Sequence, residues 1–135
     1  MENMRILIAE DDFTSRRLLQ KLLEPFGQSD VAVNGEEAVA AFKAAHEEGY
    51  PYDLICLDIM TPEMDGQQAL KVIRQREKEM KVAPRSEVKV LMTTALDQPQ
   101  DVVEAFYRGG CTDYLVKPIE KKKLLLKLRE CKLLS

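Results

Sequence analysis

Short apolar runs and amphipathic segments alternate along the whole chain. The apolar runs suit strands that are buried in a parallel sheet, and they are Arg5–Ala9, Val31–Val33, Leu54–Leu57, Val88–Thr93 and Asp113–Val116. The segments that follow them repeat apolar residues at three- and four-residue spacing, which predicts helices. Five strands alternating with five helices indicate an α/β fold with a parallel sheet covered on both faces.

The helical segments carry their own start and stop signals. Asn34 followed by Glu37 resembles a capping box that opens the second helix. The third helix becomes highly charged from Arg74 to Lys81, so we expect its end to project into solvent. The five predicted helices run from Asp12 to Pro25, from Asn34 to about Glu48, from Gly66 to about Lys81, from Pro99 to Gly109, and from about Glu120 to the end of the sequence.

The order of the elements predicts where the polar strand ends meet. Right-handed crossovers restrict the topology to a few doubly wound sheets, and the flavodoxin-like order 2-1-3-4-5 places strands 1 and 3 side by side. All carboxyl ends then face one edge. The acids after strand 1 should therefore converge on a crevice with Asp58, Thr94 and Lys117, which end strands 3, 4 and 5.

Length and composition narrow the class of protein. The chain has 135 residues with no repeat or linker, which predicts one domain over 1–135. A net charge of -3 gives no reason to expect nucleic-acid binding. Three cysteines without metal-like spacing fit a reducing compartment. The sequence shows no signal peptide and no membrane span, so we expect a cytoplasmic protein with no membrane role.

The crevice suggests phosphoryl chemistry. Several carboxylates in one small site repel one another, and a bound Mg²⁺ would relieve the repulsion because this hard cation prefers carboxylate oxygens. Lys117 adds a positive charge and Thr94 adds a hydroxyl donor. With these groups around it, Asp58 is the predicted nucleophile that forms an acyl phosphate.

These residues also resemble a known family. Glu10-Asp11-Asp12, the stretch Asp58–Gly66, Thr94-Ala95 and Lys117-Pro118 are similar to the motifs of the receiver domain of bacterial two-component response regulators, and to single-domain, chemotaxis-regulator-like members in particular. The resemblance implies a domain that a histidine kinase or histidine phosphotransfer protein phosphorylates on Asp58. It implies that the domain is not an enzyme, except that it catalyses its own phosphorylation and dephosphorylation. It also implies a cis peptide between Lys117 and Pro118.

The resemblance also implies a metal-ligand set, with one ambiguity. In the family an acidic pair precedes an arginine of helix 1 at a nearly fixed distance. Matching Arg16 to that arginine makes Glu10 and Asp11 the pair and puts Asp12 at the start of the helix. Matching the two consecutive aspartates alone would choose Asp11 and Asp12. The first match is preferred because it needs no gap, so Glu10 and Asp11 are the expected pair. The remaining implied Mg²⁺ ligands are Asp58 and the backbone carbonyl of Met60.

The family's switch implies roles for Thr94 and Tyr114, with Thr93 as an alternative donor. The implied read-out surface is formed by the fourth helix, the fifth strand and the fifth helix, and it would bind a downstream protein rather than DNA. Lys121–Lys123 either belong to this surface or form a solvated face. With no output domain in the sequence, a phosphoryl carrier in a phosphorelay is the alternative function. A phosphorylation-dependent homodimer is also left open.

Three competing functions fit the sequence less well. A haloacid dehalogenase-type enzyme needs a second aspartate two residues after the first, where this chain has Met60. A flavodoxin needs a phosphate loop after strand 1, where the acids would repel a flavin phosphate. A receiver-like module that has lost phosphorylation would not keep the complete residue set. His46 and Asp65-Gly66 are interpreted as structural, at a helix end and a helix start.

Overall fold

The computed structural model describes residues 3–59, 64–94 and 110–134, and it contains one five-stranded parallel sheet. The strands are β1 Met4–Ala9, β2 Gly27–Ala32, β3 Leu54–Asp58, β4 Lys89–Thr94 and β5 Asp113–Val116. Their order is β2-β1-β3-β4-β5 and every neighbouring pair is parallel. The predicted doubly wound, flavodoxin-like sheet is therefore confirmed.

Four α-helices lie within the described residues. They are α1 Phe13–Leu23, α2 Gly35–Glu47, α3 Gly66–Glu79 and α4 Lys121–Glu130. Short 3₁₀ helices occupy Glu24–Phe26 and Pro84–Ser86. Helix α4 corresponds to the fifth predicted helix, and the fourth predicted helix, from Pro99 to Gly109, lies outside the described residues.

Apolar side chains pack on both faces of the sheet. One cluster joins the sheet to α2 and α3 and includes Leu7, Phe42, Ile55, Leu57, Leu70 and Ile73. The other joins it to α1 and α4 and includes Ile6, Ile8, Leu19, Cys56, Leu124 and Leu128. Every residue of β3 is buried. The two-sided burial that stabilises the sheet also fixes the positions of its carboxyl ends, where the candidate site lies.

Two helix starts follow the caps that the sequence indicates. The Asn34 side chain accepts a 2.8 Å hydrogen bond from the Glu37 amide, and the Glu37 carboxylate accepts one from the Val33 amide. Helix α3 begins with a complete capping box, because Asp65 and Gln68 each accept a hydrogen bond from the other's backbone amide. The structural interpretation of Asp65-Gly66 as a helix start is confirmed.

Strand β2 differs from its prediction. It begins at Gly27 rather than at Val31, and it ends at Ala32. β2 is an edge strand that pairs only with β1, so much of it is exposed and polar residues are tolerated. A strand of this kind does not form the continuous apolar run by which the other four were found.

The ends of two helices also differ from expectation. The prediction that the charged end of α3 projects into solvent is wrong for Glu77, which is only 1% exposed, and for the largely buried Arg74 beside it. Glu77 is tolerated there because its carboxylate pairs with Arg74 at 2.7 Å and accepts a 2.8 Å hydrogen bond from the Val88 amide. The last helix does not continue to the end of the sequence but ends at Glu130, followed by Lys132 in a left-handed conformation (φ 66°).

Candidate functional site

The turn after β1 presents three consecutive acids in different environments. Glu10 is 1% exposed, its amide donates to the Ala32 carbonyl at 3.0 Å, and its carboxylate accepts a 3.1 Å hydrogen bond from the Asp12 amide. Asp12 is the N-cap of α1 and accepts a hydrogen bond from the Ser15 amide, a contact that lowers the pKa of Asp12. Asp11 is exposed. Asp12 is thus occupied with the helix start.

Asp58 ends β3 and is 5% exposed. Helix α3 begins directly against it, because the Gly66 amide donates to the Ile59 carbonyl at 2.9 Å. A Cβ at Gly66 would lie 2.3 Å from the Asp58 carbonyl oxygen, a distance that no side chain tolerates. Glycine at position 66 therefore permits the close approach of the α3 start to the backbone of Asp58.

Lys117 connects the ends of three strands. Its amide, just after β5, donates to the Thr94 carbonyl at the end of β4 at 2.7 Å. Its ammonium lies 3.0 Å from Asp58 Oδ2 and forms an ion pair with Glu10 Oε1 at 2.9 Å. The Lys117–Pro118 peptide is cis, as the resemblance implied. The structure thus brings together three of the residues that topology alone placed at one edge.

The carboxyl groups outnumber the positive charge. Burial raises the pKa of Glu10, and with the neighbouring Asp58 brings it to about 7, although Lys117 acts in the opposite direction. Burial alone would disfavour the charged form of Lys117, but its hydrogen bonds to Glu10 and Asp58 outweigh burial and raise the pKa of Lys117. The ammonium therefore stays charged at neutral pH, while the raised pKa of Glu10 makes that buried carboxyl group easier to protonate than usual.

The acids are placed to hold a hard cation. One carboxylate oxygen from each of Glu10, Asp11 and Asp58 lies within 4.8 Å of the other two. An oxygen-only donor set of this kind fits Mg²⁺. Asp12, the alternative member of the acidic pair, is not in this group. The implied fourth ligand, the carbonyl of Met60, lies outside the described residues.

The predicted switch residues lie on β4 and β5. Thr93 pairs with Asp58 in the β3–β4 register and Thr94 pairs with Val116, and both threonines are 1% exposed. Tyr114 is half-buried against the cluster on the α2–α3 face, whereas Leu115 belongs to the opposite cluster. The Lys127 ammonium lies 5.6 Å from the centre of the Tyr114 ring. The role of these residues in a switch stays a prediction.

The remaining candidates lie away from the acids. His46 is in the last turn of α2, where its ring meets Phe42 edge to face at 4.8 Å. Lys121–Lys123 are all exposed, and Lys123 pairs with Glu120 at 3.2 Å. Sequence reasoning used Arg16 only to align the acids, yet its guanidinium donates to the Glu10 carbonyl at 3.0 Å. Within the described residues no helix is long and apolar enough to cross a membrane.

Known proteins are similar to this chain in sequence and in fold. The response regulator receiver domain model matches residues 6–129. The chain is 34% identical over 126 residues to the transcriptional regulatory protein ResD of Bacillus subtilis, covering 93% of this chain and 46% of ResD. It therefore spans less than half the length of that relative.

Solved structures are also similar to this chain. A chain in the complex of the Saccharomyces cerevisiae histidine phosphotransfer protein Ypd1 with the receiver domain of Ssk1 is 30% identical with a TM-score of 0.80, covering 96% of this chain and 88% of that one. A chain in the CheX–CheY–BeF3–Mg complex of Borrelia burgdorferi is 27% identical with a TM-score of 0.80, covering 96% and 89%. The protein belongs to the response regulator receiver domain family of two-component signalling.

Proposed function

We propose that this receiver domain accepts a phosphoryl group on Asp58 from the phosphohistidine of a histidine kinase or a histidine phosphotransfer protein. The observation that carries the proposal is the cluster in which Glu10 and Asp58 share the ammonium of Lys117. The similarity to a chain from the Ypd1–Ssk1 receiver complex supports a donor of this class.

The proposed step is a displacement at phosphorus. A carboxylate oxygen of Asp58 attacks, the bond from phosphorus to the donor's imidazole nitrogen breaks, and the electron pair remains on that nitrogen, which takes a proton from water when needed. Lys117 neutralises charge on the transferring phosphoryl oxygens. Its ammonium already lies 3.0 Å from the attacking carboxylate, so little rearrangement is required. The domain catalyses no reaction other than its own phosphorylation and dephosphorylation.

Glu10, Asp11 and Asp58 are the residues proposed to hold Mg²⁺. When bound, the ion neutralises charge on phosphoryl oxygens. Three carboxyl groups around one ammonium leave an excess of negative charge, which is the electrostatic condition for binding a divalent cation. The similar Borrelia burgdorferi complex combines its CheY with Mg²⁺ and beryllofluoride, which supports the same pair of ligands here.

The proposed output is a protein-binding surface around β5 and α4. Thr94 would donate to the phosphoryl group and Tyr114 would change its packing, so that phosphorylation favours one of two states. The exposed Lys121–Lys123 at the start of α4 would belong to the surface that a downstream protein contacts, and a phosphorylation-dependent homodimer would use the same region. Transfer onward to another histidine, as in a phosphorelay, is the alternative fate of the phosphoryl group.

The experiment is intact-mass analysis after incubation with acetyl phosphate and Mg²⁺. The natural protein should gain the mass of one phosphoryl group, and hydroxylamine should remove it because an acyl phosphate is labile to this nucleophile. Asp58→Asn should gain nothing while remaining folded. Asp12→Asn is the matched control, since Asp12 caps α1 instead of joining the cluster, and it should still be labelled. Undiminished labelling of Asp58→Asn would contradict the proposal.

The switch has its own test. Thr94→Ala should leave Asp58 phosphorylation measurable but weaken the response of Tyr114 to beryllofluoride. That response can be followed through the NMR signals of the Tyr114 ring. An undiminished response in Thr94→Ala would remove Thr94 from the switch without affecting the assignment of Asp58.

A further inference from the structure

The side chain of Arg16 reaches back from α1 to the turn that carries the acids. One nitrogen of its guanidinium donates to the Glu10 carbonyl at 3.0 Å and lies 3.5 Å from the Asp11 carbonyl. The guanidinium carbon lies 5.4 Å from the centre of the Phe13 ring, which limits the orientations of the side chain. Arg16 therefore holds two consecutive peptide groups of the acidic turn at once.

The two acids of this turn depend on Arg16 to different degrees. The Glu10 carboxylate is also oriented by Lys117 and by the Asp12 amide. The Asp11 carboxylate is exposed, and it makes no hydrogen bond or ion pair with the rest of the described residues. The direction of the Asp11 side chain is then determined by its backbone. Arg16 holds the peptide group before Asp11 through the Glu10 carbonyl at 3.0 Å, and it shares the peptide group after Asp11 with the Glu10 carboxylate, which accepts from the Asp12 amide at 3.1 Å.

We propose that Arg16 is a positioning residue that aims the Asp11 carboxylate at the Mg²⁺ site. This inference rests on the proposed function, since it assumes that Glu10, Asp11 and Asp58 hold the ion. Arg16 does not touch the carboxylates; it acts through the carbonyl groups of the two residues that carry them. Partners that orient metal ligands in this indirect way contribute strongly to metal affinity.

The direction of the change in Mg²⁺ affinity on replacing Arg16 distinguishes a positioning role from an electrostatic one. Arg16 is a cation beside an anionic site, so its charge by itself repels Mg²⁺. If charge were its main influence, Arg16→Met would tighten Mg²⁺ binding. If Arg16 positions Asp11, the same substitution weakens binding despite the lost repulsion.

Arg17 provides a matched control. It is the next residue of the same helix and carries the same charge, but it is exposed and its side chain makes no hydrogen bond or ion pair with the rest of the described residues. Arg17→Met therefore reports the electrostatic effect of removing one positive charge near the start of α1. Arg16→Lys keeps the charge but replaces the guanidinium, one nitrogen of which reaches both carbonyls, with a flexible ammonium.

The experiment is calorimetric titration of the full chain with Mg²⁺. We expect Arg16→Met to raise the Mg²⁺ dissociation constant about tenfold, Arg16→Lys to give an intermediate value, and Arg17→Met to leave it unchanged or slightly lower. In the metal-free protein, NMR should show faster amide exchange at Asp11 and Asp12 in Arg16→Met but not in Arg17→Met. Thermal unfolding confirms that each variant is folded.

Two results would overturn the inference. One is Mg²⁺ affinity in Arg16→Met equal to or higher than in the natural protein, and the other is no Mg²⁺ binding by the natural protein. Failure of the proposed phosphoryl transfer would give a different set of results. In that case the natural protein would not be labelled by acetyl phosphate, while Mg²⁺ binding and its dependence on Arg16 would still be measured.

Discussion

Two clusters among the described residues join buried carboxylates to a basic side chain, and they lie at opposite edges of the sheet. At the carboxyl edge, Glu10 and Asp58 share the ammonium of Lys117. At the amino edge, Glu77 pairs with Arg74. Glu10 and Glu77 are each 1% exposed, so burial alone does not distinguish the clusters. The balance of acidic and basic groups does distinguish them.

The cluster at the amino edge is closed. One oxygen of Glu77 accepts from Arg74 at 2.7 Å and the other accepts from the Val88 amide at 2.8 Å, while Arg74 Nε donates to the Gly110 carbonyl at 2.9 Å. One acid is matched by one base, and each group is occupied in joining α3 to the starts of β4 and β5. A cluster of this kind is structural, because its charges are balanced and each carboxylate oxygen already accepts a hydrogen bond.

The cluster at the carboxyl edge is open. It contains more acid than base, and burial together with the neighbouring Asp58 raises the pKa of Glu10. The comparison shows that a buried ion pair is not by itself a sign of function, whereas an unbalanced group of charges at a strand end is.

The largest expected effect is the removal of the base from the closed cluster. Arg74→Met should reduce the free energy of unfolding by about 3 kcal/mol, because it leaves the Glu77 carboxylate buried without its cation. Urea unfolding monitored by circular dichroism gives the value. Arg76→Met is the control, since Arg76 pairs with Glu79 at the same spacing on the same helix but at 3.8 Å and with both side chains partly exposed. It should cost less than about 1 kcal/mol, and equal losses in the two variants would refute the comparison.

The exchange of a carboxylate for an amide should have opposite signs in the two clusters. Without Mg²⁺, Asp58→Asn should stabilise the protein by about 1 kcal/mol, because it removes repulsion between buried acids. Glu77→Gln should destabilise it by about 1 to 3 kcal/mol, because it removes the charge that pairs with Arg74. Both values come from urea unfolding in the presence of a chelator. Destabilisation of the metal-free protein by Asp58→Asn would show that the carboxyl-edge cluster is not repulsive.

The open cluster should also give a pH dependence of stability. The pKa of Glu10 is raised from 4.5 to about 7. A carboxyl group whose pKa is higher in the folded protein contributes stability below its unfolded pKa, and this contribution is lost as the pH rises through the folded value. Relative to Glu10→Gln, the metal-free natural protein should therefore lose stability between about pH 4.5 and pH 7. Thermal unfolding of the two proteins across this range checks the sign, and a constant difference would contradict it.

The open cluster was predictable from sequence, because its residues follow buried strands. Asp58 and Lys117 come directly after apolar runs, and the topology of a doubly wound sheet brings such ends together. The identity of the acids nearest to Asp58 and Lys117 did not follow from topology, since the choice of Glu10 over Asp12 depended on the spacing to Arg16. The contact of Arg16 with the turn itself was not predictable, because it involves backbone carbonyls that no residue type signals.

The closed cluster was missed for a different reason. Glu77 lies in a charged stretch from Arg74 to Lys81, which suggested solvent exposure. Its position carried the contrary signal, because it follows the buried Leu70 and Ile73 by seven and four residues and so shares their face of α3. Helical spacing was more informative than local charge, but spacing alone does not identify Val88 as the partner that makes burial tolerable.

The central claim, that excess negative charge around Lys117 forms a Mg²⁺ site including Asp58, is tested most directly by thermal unfolding with and without Mg²⁺. A ligand that binds only the folded state raises the unfolding temperature. The account predicts that Mg²⁺ raises the unfolding temperature of the natural protein and of Glu77→Gln by similar amounts, and that of Asp58→Asn much less. No increase in the natural protein, or an equal increase in Asp58→Asn, would contradict it.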